Sequence, residues 1–201
     1  MTKRLTQAER TEASDSAMLK AAISIIANEG HYNMTLIKVG KTAGFTGGLV
    51  SYRFGSKSGL LQAVSERILE LWNNRTLNNK KLMESSGVEQ LKLIAEAYLN
   101  DVKKRSDLMV AQHRLRNASY GSCPDLLPYF QEFDSLMRAR ISKTIADSGQ
   151  APASFNADAF AVSFMALLRG VSQQYFVDQK NVDLKQAKLM IWNICDAIIK
   201  G

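Results

Sequence analysis

The chain has 201 residues, 46% of them hydrophobic and 22% charged, and a formal net charge of +7. That length and balance allow a self-sufficient core in one large or two small domains, and they exclude a disordered, fibrous or staple-dependent chain. A basic balance suits a polyanionic partner, although many chains that bind no nucleic acid share it.

With only 3 Pro and 12 Gly, and an abundance of Ala, Leu, Ile, Lys and Met, the chain favours helix. The two cysteines, Cys123 and Cys195, are far apart and lack C-x-x-C spacing. Packed thiols in a reducing cytoplasm are expected, with no disulfide framework. The N-terminus lacks the apolar segment of a signal peptide, and the richest apolar stretch, 157–168, is broken by Asp158 and Ser163. No bilayer span is expected.

The predicted elements are helices separated by short punctuation. The first runs from about residue 7 to 29, with Thr6 and Glu9 at capping-box spacing and Leu19, Ala22, Ile23 and Ile26 as its apolar stripe. Gly30 sits at its C-terminal cap position. Thr35 caps a short second helix, about 36–43, which Gly44 ends. Thr46 caps a short third, about 47–54, which Gly55 ends, and Ser56 caps a long fourth, about 57–82. Two short helices joined by a glycine turn form a helix-turn-helix signature. Further helices are expected at about 88–104, 107–118, 125–148, 154–177 and 183–199, giving an all-α chain of about nine helices.

The segment 30–61 is the most informative. Leu36, Val39, Ala43, Phe45, Val50 and Phe54 are spaced to meet the first helix. Thr46, Gly47, Gly48, Leu49, Ser51, Tyr52 and Arg53 are left on the opposite, outer side. Small residues at the start of an exposed helix admit a partner's backbone, and the helix N-terminus suits phosphate. Arg53 and Lys57 add cations beside it. A helix so presented fits the major groove, with Thr35, Tyr52 and Lys57 gripping phosphates.

These residues resemble the tetracycline-repressor-like (TetR) family of bacterial regulators. The matching elements are Gly30, Thr35, the run Lys41-Thr42-Ala43-Gly44-Phe45-Thr46, Gly48, Phe54, Ser56-Lys57 and Leu60-Leu61. Ser51 departs from the family, which usually has a Tyr there to hold the DNA backbone. Leu49 departs at a place often held by Thr, and its apolar side chain suits a thymine methyl. The resemblance implies a three-helix DNA-binding domain, 1–56, and a helical ligand-sensing and dimerisation domain, 57–201. It also implies a homodimer on a double-stranded, pseudo-palindromic operator, released by a small effector. Repression is the expected mode; the alternative is an activator or a ligand-independent DNA-binding protein of the same fold.

Within the second domain, the expected ligand contacts are Trp72, Tyr129, Phe133, Phe164 and Leu168, together with Met109, His113 and Arg116 on one face of the sixth helix. The bulky side chains suit a largely apolar effector, and His113 or Arg116 an anionic group on it. Simple core packing and a solvated basic face are the competing readings. In the eighth helix Ala159, Ser163, Ala166 and Gly170 form a small-residue stripe that admits a second helix closely. The last helix carries Leu184, Ala187, Ile191, Ile194 and Ile198 on one stripe and Leu189 and Trp192 off it. A helix apolar on two faces favours a dimer.

No G-x-S-x-G, H-E-x-x-H, dinucleotide fingerprint or phosphate-binding loop appears. No catalytic residue, metal ligand or cofactor is expected. An architectural DNA-wrapping protein is the other rival, and the apolar character of the second domain argues against it.

Overall fold

A computed structural model describes residues 6–77 and 79–200. They form ten α-helices and two short 3-10 turns: α1 (Gln7–Glu29), the turn His31–Asn33, α2 (Leu36–Ala43), α3 (Gly47–Phe54), α4 (Lys57–Leu77) and α5 (Lys80–Glu84), followed by α6 (Gly87–Lys104), α7 (Asp107–Ser119), the turn Pro124–Leu126, α8 (Leu127–Ser148), α9 (Ala157–Val177) and α10 (Leu184–Lys200). No described residue is in a strand. No described helix is long and apolar enough to cross a membrane.

The starts of the first helices are written in side-chain hydrogen bonds. Thr6 and Glu9 close a reciprocal capping box. Thr35 Oγ1 accepts from the Lys38 N–H, Thr46 Oγ1 from the Leu49 N–H and Ser56 Oγ from the Gly59 N–H, each at 3.1 Å. Each bond satisfies a donor that the helix cannot reach itself. Gly44 ends α2 at φ 80°, a left-handed conformation in which its missing Cβ removes the steric penalty.

The expected fourth helix is interrupted. α4 ends at Leu77, and a separate turn of helix, α5, follows. Asn79 caps it by accepting from the Leu82 N–H, Leu82 is buried, and the Gln90 amide donates to the Leu82 carbonyl. One buried leucine and two side-chain bonds are tertiary gains that a polar stretch does not advertise. α9 starts three residues later than its expected 154, because Asn156 caps it through the Ala159 N–H. α8 likewise begins after a 3-10 turn opened by Pro124.

The chain packs as two units. The first contains residues up to 70 together with 106–130; the second contains 71–105 together with 131 onward. In the first, Ile23, Ile26, Val39, Val50, Leu60 and Val64 share one core with Ala111 and Leu115 of α7. Arg114 of α7 also donates to the Ile26 carbonyl near the end of α1. In the second, α6 packs against α9 and α10. Its buried side chains include Leu91, Leu99, Phe133, Ile141, Phe164, Leu168 and Ile191. Tyr98 meets Ser172 at 3.1 Å, and Arg169 forks onto Asp134.

Candidate nucleic-acid interface

The turn between α2 and α3 is unusually tight, and two glycines make it so. A Cβ on Gly40 would lie 2.7 Å from the Thr46 carbonyl carbon, and one on Gly47 would lie 2.9 Å from the Ile37 Cα. Real Cβ atoms do not approach backbone that closely, so both positions require the missing side chain. Gly48 differs. A Cβ there would meet only the Thr46 hydroxyl, at 3.8 Å. The chain itself does not need a glycine at Gly48, and the absent side chain leaves the start of α3 bare on its outer side.

Val50 anchors α3 in the core, with Phe54 packed against that core. Thr46, Gly48, Ser51, Tyr52 and Arg53 are exposed, and Gly47 and Leu49 half-buried. The tyrosine is 82% exposed. Thr35 is exposed at the start of α2, and Lys57 half-buried at the start of α4. The polar side chains on this face have different prior engagements. Ser51 Oγ makes a long bond to the Gly55 carbonyl, 3.4 Å. Arg53 forms a fork with Asp15 of α1, its Nε donating to Oδ1 at 2.8 Å. Lys57 Nζ donates to the Tyr32 carbonyl at 3.0 Å. Thus Arg53 is held beside α3 by a carboxylate, whereas among the described residues Lys57 is held only by a neutral oxygen.

Sequence reasoning missed Gly40 and Ile37. Ile37 is 75% exposed on α2 beside Gly47. No local pattern marks either residue, because what matters is the distance between two helices.

The expected ligand contacts fall into both units. Met109, His113, Arg116 and Tyr129 belong to the first; Trp72, Phe133, Phe164 and Leu168 belong to the second. Met109 is buried, and the Arg116 guanidinium lies 4.5 Å from the Phe130 ring centroid. In the second unit Trp72 meets Phe133 edge-on at 5.7 Å, and Phe164 stacks on Phe160 at 5.8 Å. Trp72 also lines a cavity of about 210 Å3 with Leu82, Ile94, Tyr98, Asp101 and Lys104. Phe133, Phe164 and Leu168 are buried and do not line it.

The small-residue stripe of α9 is bare. Ala159, Ser163, Ala166 and Gly170 are all exposed, as is Val162, and a Cβ on Gly170 would meet nothing within 4 Å. On α10 Leu189 and Met190 are exposed. Trp192 is engaged within the chain. Its indole N–H donates to the Lys92 carbonyl of α6 at 3.2 Å, and the Lys188 ammonium sits 4.7 Å from its ring centroid. The Ile198 side chain lies outside the described residues. Among the described residues, no group of three or more His, Cys, Asp or Glu side chains could hold a metal ion.

Residues 18–64 match the model of the tetR family of bacterial regulatory proteins, a segment that takes in the second half of α1, α2, α3 and the first eight residues of α4. No curated protein matches the chain. Solved structures share its fold along nearly the whole length. A TetR-family transcriptional regulator from Rhodococcus sp. superposes with a TM-score of 0.78 at 21% identity, covering 94% of this chain and 99% of that one. A transcriptional regulator from Saccharomonospora viridis, in complex with choline, gives 0.75 at 19% identity, covering 92% and 96%. SmeT, the repressor of the Stenotrophomonas maltophilia multidrug efflux pump SmeDEF, gives 0.74 at 21% identity, covering 94% and 91%, and has also been solved with triclosan.

Proposed function

Because residues 18–64 match the model of the tetR family of bacterial regulatory proteins, we propose that the chain is a ligand-responsive transcriptional regulator that binds a pseudo-palindromic operator as a homodimer. The observation that carries this reading is the outer face of α3, where Gly48, Ser51 and Tyr52 stand exposed beside the tight turn from α2. In this reading α3 enters the major groove, Gly48 admits close approach, Leu49 reaches base edges, and Tyr52 is one of the phosphate grips. Thr35 and Lys57 hold phosphates on either side. Regulation is by repression, in the cytoplasm, and involves no turnover chemistry.

A small effector, largely apolar and with room for an anionic group, releases the operator. The relatives solved with choline and with triclosan support a small-molecule effector of some kind. The cavity beside Trp72 supports a place for it, with apolar walls at Leu82 and Ile94 and a polar side made by Asn79, Asn100, Asp101 and Lys104. α4 contributes residues to both packing units, so a ligand that shifts its far end acts on the helix that begins at Lys57. Coupling of about 1–3 kcal/mol gives a switch of roughly 5–150-fold, and reciprocity requires DNA to weaken ligand binding equally.

The test starts with in-vitro selection of the operator from random DNA. Lys57→Ala should then weaken binding to every sequence and lower the salt slope by about one phosphate's worth. Tyr52→Ala should weaken binding as well. Unchanged binding in both variants, or failure to select any sequence, refutes the assignment of α3 to the groove.

A further inference from the structure

A second cavity, of about 300 Å3, lies wholly within the first packing unit. Three segments meet around it: the 3-10 turn after α1, the start of α4, and the turn that follows α7. Its volume is that of a small-ligand site. Its apolar lining includes Pro124 and the buried Leu61 and Leu126.

The polar lining holds two opposite charges, Lys57 and Asp125. Among the described residues neither has an ion-pair partner. Lys57 spends one donor on the Tyr32 carbonyl at 3.0 Å, and Asp125 Oδ2 accepts from the Ser58 hydroxyl at 3.2 Å. Both partners are neutral, so neither charge is compensated by them. An ammonium has three donors and a carboxylate about four acceptor sites, so each keeps capacity for a ligand. His31, also on the lining, lies 3.0 Å from the Ser122 hydroxyl through Nε2. Burial, and then the Lys57 ammonium, hold its pKa below the ordinary value, so the ring adds no third charge near neutrality.

A ligand with a single charge gains from one of these groups and is opposed by the other. A dipolar ligand answers both and covers the apolar lining with its body. We propose that this cavity binds a small zwitterion of the apolar α-amino-acid class, with its carboxylate toward Lys57, its ammonium toward Asp125 and its side chain against Leu61 and Leu126. Lys57 is also a phosphate contact in the function proposed above. Occupancy therefore lowers operator affinity, a consequence that rests on that reading, while the site itself does not.

Cys123 provides the measurement. It lines the cavity and is half-buried, whereas Cys195 is buried elsewhere. The full chain is alkylated with iodoacetamide without DNA, and modification of Cys123 is followed by mass spectrometry. L-phenylalanine and L-leucine are the probes; phenylacetate and phenethylamine each carry one of the two charges. L-phenylalanine should protect Cys123 at concentrations about tenfold lower than either single-charge analogue, the worth of one charge-assisted hydrogen bond. Asp125→Asn should improve protection by phenylacetate, and Lys57→Met protection by phenethylamine. An exchange of preference in this sense is not something a misfolded protein can produce, and the comparison of probes on the unaltered chain needs no variant. The proposal is overturned if neither amino acid protects Cys123 up to its solubility, or if a single-charge analogue protects as well as L-phenylalanine does. Operator affinity of the unliganded protein, measured separately, shows whether a failure belongs to the DNA reading instead.

Discussion

At Gly40 and Gly47 one methyl group separates a fitted turn from a clash with backbone. Gly47→Ala should destabilise the first unit by about 1–3 kcal/mol, the usual cost of overpacking, because the obstacle is the Ile37 Cα and not a flexible side-chain end. Gly48→Ala should cost nothing of the kind and gains helix propensity. Thermal denaturation of the two variants side by side checks this, and equal effects would contradict the geometry. The thiols differ in the same way. Burial pushes the Cys195 thiol up to about 12, against a smaller opposing effect of the Lys92 ammonium. The unfolded thiol ionises near 8.5. Its folded value is higher, so the contribution to stability is complete below about 8.5 and is lost as pH rises from there toward about 12. At pH 8, iodoacetamide should label Cys123 in the native protein and Cys195 only on unfolding, which peptide mapping resolves.

At the scale of elements, α3 is held on one side by apolar anchors and on the other by a charge fork to α1. Arg53 is committed to Asp15, and this weighs on its use as a phosphate contact. Asp15→Ala removes the competitor. If Arg53 then turns to phosphate, the salt slope of operator binding should steepen by about 0.9, the value for one released counterion contact. A slope unchanged from the parent protein would mean that Arg53 meets no phosphate in either state. The caps at Thr35, Thr46 and Ser56 were legible because a cap is a local bond between residues three apart. α5 was not, because its reason for existing is the burial of Leu82 and a bond from Gln90, eight residues away.

For the whole molecule, the question is what covers α9. Ala159, Val162, Ser163, Ala166 and Gly170 lie bare, next in kind to the exposed Leu189 and Met190 of α10. Small side chains allow two helix backbones to approach closely, which suits this face to the second copy of the proposed homodimer. Gly170→Trp is a suitable probe, since a Cβ there meets nothing within 4 Å in the isolated chain. The variant should keep its helical content and melting behaviour as a monomer, sediment as a monomer where the parent sediments as a dimer, and lose cooperative binding to a two-half-site operator. Sedimentation of the parent as a monomer at micromolar concentration would remove the dimer from the proposal. Trp192→Ala, by contrast, should cost stability within the chain, because its indole is bonded to α6.

The sequence by itself determined the helical class, the bounds of α1, α2 and α3, and the side of α3 that faces outward. All of these follow from period, capping chemistry and glycine stops, which act over a few residues. It also determined the family resemblance, carried by a segment in which those local rules leave little freedom. Only the tertiary structure decided that α7 completes the core around α1, that Arg53 is taken by Asp15, that Trp192 belongs to the interior pairing of α6 with α10, and that Lys57 and Asp125 face one cavity. These partners are between 38 and 100 residues apart in the chain. No short-range rule reaches across such a separation, because the choice among distant partners is made by which surfaces can be buried together and not by which residues are neighbours in sequence.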